Sequence, residues 1–358
     1  MRFMYKLPCD SRGPVLAAAI VISIVTLCAA LTTSPAVNAA EEVNLYSARK
    51  EALILPLLDR FTKRTGIAVN LVTGAADGLL KRLEVEGKLT PADVFITVDA
   101  GRLHRAKEAG VLQPVKSPVL DGAVPPALRD VGGYWFGLSQ RARTIFYSPE
   151  RVSAGELSTY EGLAESKWKG RVCIRSSSNI YNQSLVGSMI EALGPEKAEA
   201  WARGLVANFA QPPRGGDTDQ LKALAAGVCD VAIANTYYFG RMTSSPDTKI
   251  REIAGKIAVF WPNQAGGDRG VHVNVSGAGV TRYAKHKANA VKLIEFLISP
   301  ESQAWYAEVN NEYPVVPGST VSMTLKSFGE FKADDMPLTR LGENNRAALQ
   351  LMDRAGWK

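Results

Sequence analysis

Short apolar runs of strand composition alternate along the chain with stretches whose apolar residues recur every three or four positions. Val43-Asn44-Leu45-Tyr46 predicts a first strand, and Leu53, Leu57, Leu58 and Phe61 share one face of the helix after it, with Ser47 as its expected N-cap and Gly66 as its stop. A strand over 67–72, a helix opening at 74–78 and a strand over 92–97, with Asp99 capping the next helix, continue the alternation. Residues 135–147 (WFGLSQRARTIFY) and 271–280 (VHVNVSGAGV) predict two long extended segments. Between them lie strands at 172–175 and 229–233, a helix containing Tyr181, Leu185 and Met189, and a helix over 218–226. Helices follow over 287–297 and 300–309, with a helical tail beyond 323.

This order predicts an α/β protein in which mixed, mostly parallel sheets are flanked by helices. One long strand carries the chain out of a first lobe and the other carries it back. The expected division is a first lobe of residues 41–139 plus 271–322, a second lobe of 140–270, and a C-terminal tail, 323–358, packing on the second lobe. Two crossings make a hinge, and two lobes on a hinge close around a ligand held in the cleft. Ligands of open α/β sheets lie beyond the carboxyl ends of the strands.

The N-terminus changes the picture of where this happens. Arg2, Lys6 and Arg12 precede an apolar stretch from Val15 to Leu31, and Val37-Asn38-Ala39-Ala40 offers small-residue cleavage sites before Glu41-Glu42. Residues 1–40 read as a cleaved secretory signal, with an uncleaved membrane anchor as the alternative and export to a bacterial periplasm the expected outcome. The formal net charge of +7 falls to +5 when these residues and their three cations and one anion leave. That charge is scattered, with no Lys/Arg run that would suit a nucleic acid. Cys173 and Cys229 remain beyond the signal, an even pair in an oxidising compartment. Each opens a predicted strand, which makes them a candidate disulfide, with two buried free thiols as the alternative.

The candidate chemistry is phenolic. Tyr181 follows the polar run Ser176-Ser177-Ser178-Asn179, and Tyr237-Tyr238 follows Asn235-Thr236 at the end of a predicted strand. A phenol has a pKa of about 10 and ligates poorly until it ionises. A small, highly charged cation drives that ionisation because metal binding and proton release are coupled. The phenolate is a hard oxygen donor suited to Fe(III), and three of them cancel a 3+ charge. Adjacent tyrosines on a strand would face opposite ways, so both reach one metal only where the strand has ended; Asn235 and Thr236 are good helix caps and favour that ending. Arg141 and Arg143, two apart on the first crossing strand, share a face and suit flat oxyanions by paired hydrogen bonds. Ser178 adds anion-friendly donors at a helix start. No GxSxG, Walker A, HExxH or Cys-x-x-Cys pattern occurs, so nothing argues for an enzyme.

The blocks 168–190 (WKGRVCIRSSSNIYNQSLVGSMI) and 215–242 (GGDTDQLKALAAGVCDVAIANTYYFGRM) are similar to signatures of the periplasmic ferric-ion-binding proteins of bacterial ABC iron importers. VNLYSARKE (43–51), GLSQRARTIFYSP (137–149), HVNVSGAGV (272–280) and EYPV (312–315) also fit, so the resemblance runs over roughly 43–320. It implies the two-lobed periplasmic-binding-protein fold and Fe(III) as ligand of Tyr181, Tyr237 and Tyr238. It further implies (bi)carbonate or a similar synergistic anion at Arg141, Arg143 and Ser178, and delivery by a monomer to an inner-membrane permease. In some relatives a His-Tyr pair or a lone His follows the first strand; here Arg49-Lys50-Glu51 stands there, and His104, His272 and His286 all lie elsewhere. Glu51 is the remaining first-lobe candidate, with water or the anion as the alternative. The competing readings are a receptor for another small solute, an anion or a polyamine, on the same fold, and a periplasmic enzyme using tyrosine as nucleophile or base.

Overall fold

Strands β1 (Glu42–Ser47), β2 (Ala68–Thr73) and β3 (Val94–Val98) begin the fold, in a computed structural model that describes residues 41–358. The expected export signal, residues 1–40, lies outside the described residues. β1 pairs parallel with β2 and with β3. The helix Glu51–Thr65 between β1 and β2 buries Ile54, Leu57, Leu58 and Phe61, and ends on Gly66, whose φ of 75° suits a residue without a Cβ. It starts later than Ser47 predicts, because Ser47 Oγ accepts from the Arg49 amide in a turn, and Lys50 occupies the cap without a side-chain bond.

β4 (Phe136–Tyr147) and β8 (Val273–Val280) are the two crossing strands, paired antiparallel. With β5 (Val172–Cys173), β6 (Val231–Asn235), β7 (Ala258–Phe260) and β9 (Tyr313–Pro314), the sheet order is β2-β1-β3-β8-β4-β6-β5, with β7 and β9 on β4. β4 pairs with β8 up to Ala142 and with β6 from Arg143. Pairing is more mixed than expected: parallel pairs are confined to β1–β2, β1–β3 and β5–β6. The reason is geometric, since strands that carry the chain out and back run in opposite senses.

Burial follows the same division. One apolar cluster surrounds β1–β3 and includes Trp135, Phe136 and Leu138; two others surround the second half of β4 with β5 and β6. The tail corrects the expectation that it packs on the second lobe alone. Leu338 and Leu341 join the first cluster, whereas Ala348, Leu351, Met352 and Trp357 join the second. Gly342 sits so close to His104 that a Cβ there would lie 2.2 Å from the imidazole-bearing carbon. The tail is also interrupted: between the helices Met323–Lys326 and Thr339–Glu343 lies a stretch without regular structure.

Candidate metal centre

β6 ends at Asn235 and a helix, Thr236–Thr243, begins at the next residue. The pleat is therefore over before Tyr237 and Tyr238, and their rings lie 4.4 Å apart rather than on opposite faces. Tyr181 comes from the first turn of the helix Ile180–Leu193, whose N-cap is Asn179, with its side chain accepting from the Tyr181 amide at 3.0 Å. The two junctions meet: the Tyr237 hydroxyl donates to the Tyr181 hydroxyl at 3.1 Å, and Asn235 Nδ2 lies 3.4 Å from Tyr237 Oη. A disulfide joins Cys173 in β5 to Cys229, two residues ahead of β6, with Cα atoms 5.8 Å apart. It ties together the two parallel strands that lead to these junctions.

Cations surround the phenols. The guanidinium carbons of Arg141 and Arg175 each lie 5.5 Å from the Tyr181 ring centre, and that of Arg241 lies 4.9 Å from Tyr237 and 5.9 Å from Tyr238. Arg141 and Arg143 differ in what they have left to give. Arg143 Nε and Nη2 donate to Asn182 Oδ1, Nη1 donates to Asp217 at 2.9 Å and to Asn235, and Nη2 also reaches the Ile233 carbonyl. All five N–H groups of Arg143 are thus engaged within the protein. Arg141 gives Nη2 to Asp99 at 3.2 Å, while its buried Nη1 has no partner. Ser178 is exposed in the turn and shares a hydrogen bond with Ser176, and capping falls to Asn179 instead.

Sequence reasoning missed several neighbours. Asp99 and Asp217 are wholly buried and hold Arg141 and Arg143. Asp99 adopts φ 86° and also accepts from Ser184 Oγ at 2.6 Å. Such strain in a residue with a Cβ persists only where its surroundings fix it. Arg49 is buried against Glu312 and Ser139, and Glu51 is exposed at the start of its helix. His272 and Asn274 stand on β8 and its approach, on the face of Arg141 and Arg143; the two-residue spacing in HVNVSGAGV was the available signal.

Electrostatics favours the neutral form of Tyr181 and Tyr237. Burial pushes Tyr237 well above the ordinary phenol range, and nearby Tyr181 and Tyr238 add to the shift. Tyr181 is raised by burial and by Tyr238, against the pull of Arg141 and the hydrogen bond from Tyr237. Burial, then Arg141, Arg143 and Arg269, lowers His272 to about 3, so it is uncharged near neutral pH. Among the described residues no group of three or more His, Cys, Asp or Glu is placed to hold a metal.

The chain belongs to the bacterial extracellular solute-binding proteins, whose family pattern matches residues 57–333. Within that class it is similar to several proteins named for iron. It is 51% identical over 318 residues to iron uptake protein A1 of Synechocystis, covering 89% of this chain and 88% of that protein. It is 27% identical to the major ferric iron-binding protein of Neisseria meningitidis, over 93% and 97% of the two chains. The Trichodesmium protein IdiA (FutA) in complex with iron and citrate ligands superposes with a TM-score of 0.86 at 51% identity, over 88% of this chain and all of that one. The ferric iron-binding protein A of Mannheimia haemolytica in an open conformation gives 0.83 at 44% identity, over 89% and 99%. These relatives are, by name, iron-uptake or iron-binding proteins, not enzymes.

Proposed function

We propose that the protein captures Fe(III) between its lobes through the phenolates of Tyr181, Tyr237 and Tyr238, with a synergistic anion at Arg141. In this reading it works in the periplasm as an exported monomer and delivers the ion to the permease of an ABC importer. The observation that carries it is the meeting of three phenols from two strand-to-helix junctions, flanked by arginines, with Tyr237 and Tyr181 in direct hydrogen-bond contact. Each proton lost on binding leaves an anionic oxygen, and three such charges neutralise the cation. The flanking arginines favour those charges without competing for the metal, since guanidinium keeps its protons. The two-lobed fold supplies the closure that shields iron from water and hydrolysis.

The chelate-competition affinity for Fe(III) tests this directly. Tyr237→Phe and Tyr238→Phe are expected to weaken it at least a hundredfold, about 3 kcal/mol. Tyr134→Phe and Tyr283→Phe, both far along the chain from the cluster, are expected to leave it unchanged. Equal effects from all four would sink the ligand assignment.

A further inference from the structure

Three residues other than glycine take a positive φ among the described residues: Asp99, Asn263 and Asn311. Two of them, Asp99 and Asn311, stand where the core around β1–β3 touches the helices that carry the tyrosines. Asp99 follows β3 with φ 86° and ψ 123°, outside the small left-handed region open to side chains. Its carboxylate accepts from Ser184 Oγ at 2.6 Å, on the helix Ile180–Leu193. Asn311, with φ 56°, abuts Gly240 on the helix Thr236–Thr243. A Cβ on Gly240 would lie 2.7 Å from Asn311 Cβ and 2.9 Å from its Cγ and Oδ1. Glycine inside a helix is unfavourable unless a close approach requires it, and this approach does.

The two contacts are alike in placement. Ser184 lies three residues beyond Tyr181 and Gly240 three beyond Tyr237, and residues so spaced are neighbours on a helix face. Asn311 is held from behind. Tyr306 and Val315, on either side of it in the chain, are buried in the cluster around β1–β3. The adjoining Glu312 donates its amide to the Tyr306 carbonyl at 3.0 Å, and its carboxylate accepts from buried Arg49 and from Ser139 Oγ. Asn311 Oδ1 is buried with no hydrogen-bond partner among the described residues, so the side chain meets Gly240 through shape rather than a bond. Backbone strain persists where the surroundings over-determine it, and it gathers at ligand clamps.

We infer that Asn311 and Asp99 are positioning residues for iron: they brace the two tyrosine helices from the first lobe and so fix the separation of the Tyr181 and Tyr237 hydroxyls, which meet at 3.1 Å. This rests on the tyrosine reading and deepens it. Each residue acts through the helix it presses on. Relieving the overlap of a Cβ on Gly240 to an ordinary 3.4 Å contact moves one side by more than the roughly 0.5 Å that a binding constellation tolerates.

The test is a rescue. Gly240→Ala is expected to weaken Fe(III) affinity at least about tenfold, to shift the tyrosinate-to-iron absorption maximum, and to speed amide hydrogen exchange over residues 236–243 of the iron-free protein. Adding Asn311→Gly removes all three crowding atoms and suits the positive φ. The double variant is expected to return affinity to within about threefold of wild type, and exchange to the wild-type rate. Wild-type affinity in a folded Gly240→Ala protein, or a double variant as weak as the single one, would overturn the inference. A lowered urea midpoint with affinity and absorption maximum unchanged would overturn it too, as the mark of a purely structural contact. Should Gly240→Ala not fold, Ser184→Ala decides: it removes the Asp99 contact and is expected to weaken affinity at least about threefold, and unchanged affinity would overturn the bracing role. The exchange measurement uses no iron, so its failure strikes this inference alone, whereas affinity insensitive to both Tyr237→Phe and Tyr238→Phe would sink the tyrosine reading.

Discussion

At the residue scale, the site separates two arginines that look alike in the sequence. Arg143 is consumed by Asp217, Asn182 and Asn235, so its replacement exposes a buried carboxylate. Arg143→Leu is expected to lower unfolding free energy by about 3–5 kcal/mol in urea denaturation, because breaking one side of a buried pair leaves an uncompensated charge. A change below about 1 kcal/mol would contradict this placement. His272 makes a pH prediction. Its folded pKa, about 3, lies below the unfolded value of about 6.5. Between these values the unfolded chain binds the extra proton, so stability falls as pH drops, by up to about 1.4 kcal/mol per pH unit. His272→Gln is expected to flatten the stability profile between about pH 6.5 and 3. The sequence named all three tyrosines because a Tyr-Tyr pair after a strand is a local signal. The pairings of Asp99 and Asp217 were illegible because their partners Arg141, Arg143 and Asn235 lie 18 to 74 residues away.

At the element scale, the two strand-to-helix junctions matter most, and they were legible. Asn235-Thr236 marked the end of β6, and the Ser-rich run marked the start of the helix at Ile180. Less legible was the pairing sense: the apolar runs of β4 and β8 looked like any buried strand, and only the crossing itself makes them antiparallel. The Cys173–Cys229 disulfide closes a separation of 56 residues beneath both junctions. Chain-entropy arguments assign such a loop about 4 kcal/mol. The Cys173→Ser, Cys229→Ser protein is expected to unfold at lower urea concentration by an amount equivalent to about 2–4 kcal/mol, measured without iron. An unchanged midpoint would mean that the surrounding core, not the crosslink, holds β5 to β6.

At the scale of the whole molecule, the tail is the part that patterning misplaced. Its amphipathic segments signalled burial but not against what, and they bridge both lobes through Leu341 and Leu351. The proposed binding of iron by phenolate also sets a molecular pH response: binding releases protons, so acidification reverses it. Iron is expected to leave between neutral pH and about pH 4 as protons compete for phenolate and carbonate, followed by equilibrium dialysis; retention of full occupancy in strong acid would argue against tyrosinate. The central claim is ligation by Tyr181, Tyr237 and Tyr238, and a visible absorption spectrum of the protein with Fe(III) and bicarbonate tests it most directly. A tyrosinate-to-iron charge-transfer band that Tyr238→Phe diminishes or abolishes is expected. A colourless protein under conditions that keep the iron soluble, or a band untouched by loss of Tyr238, would contradict it.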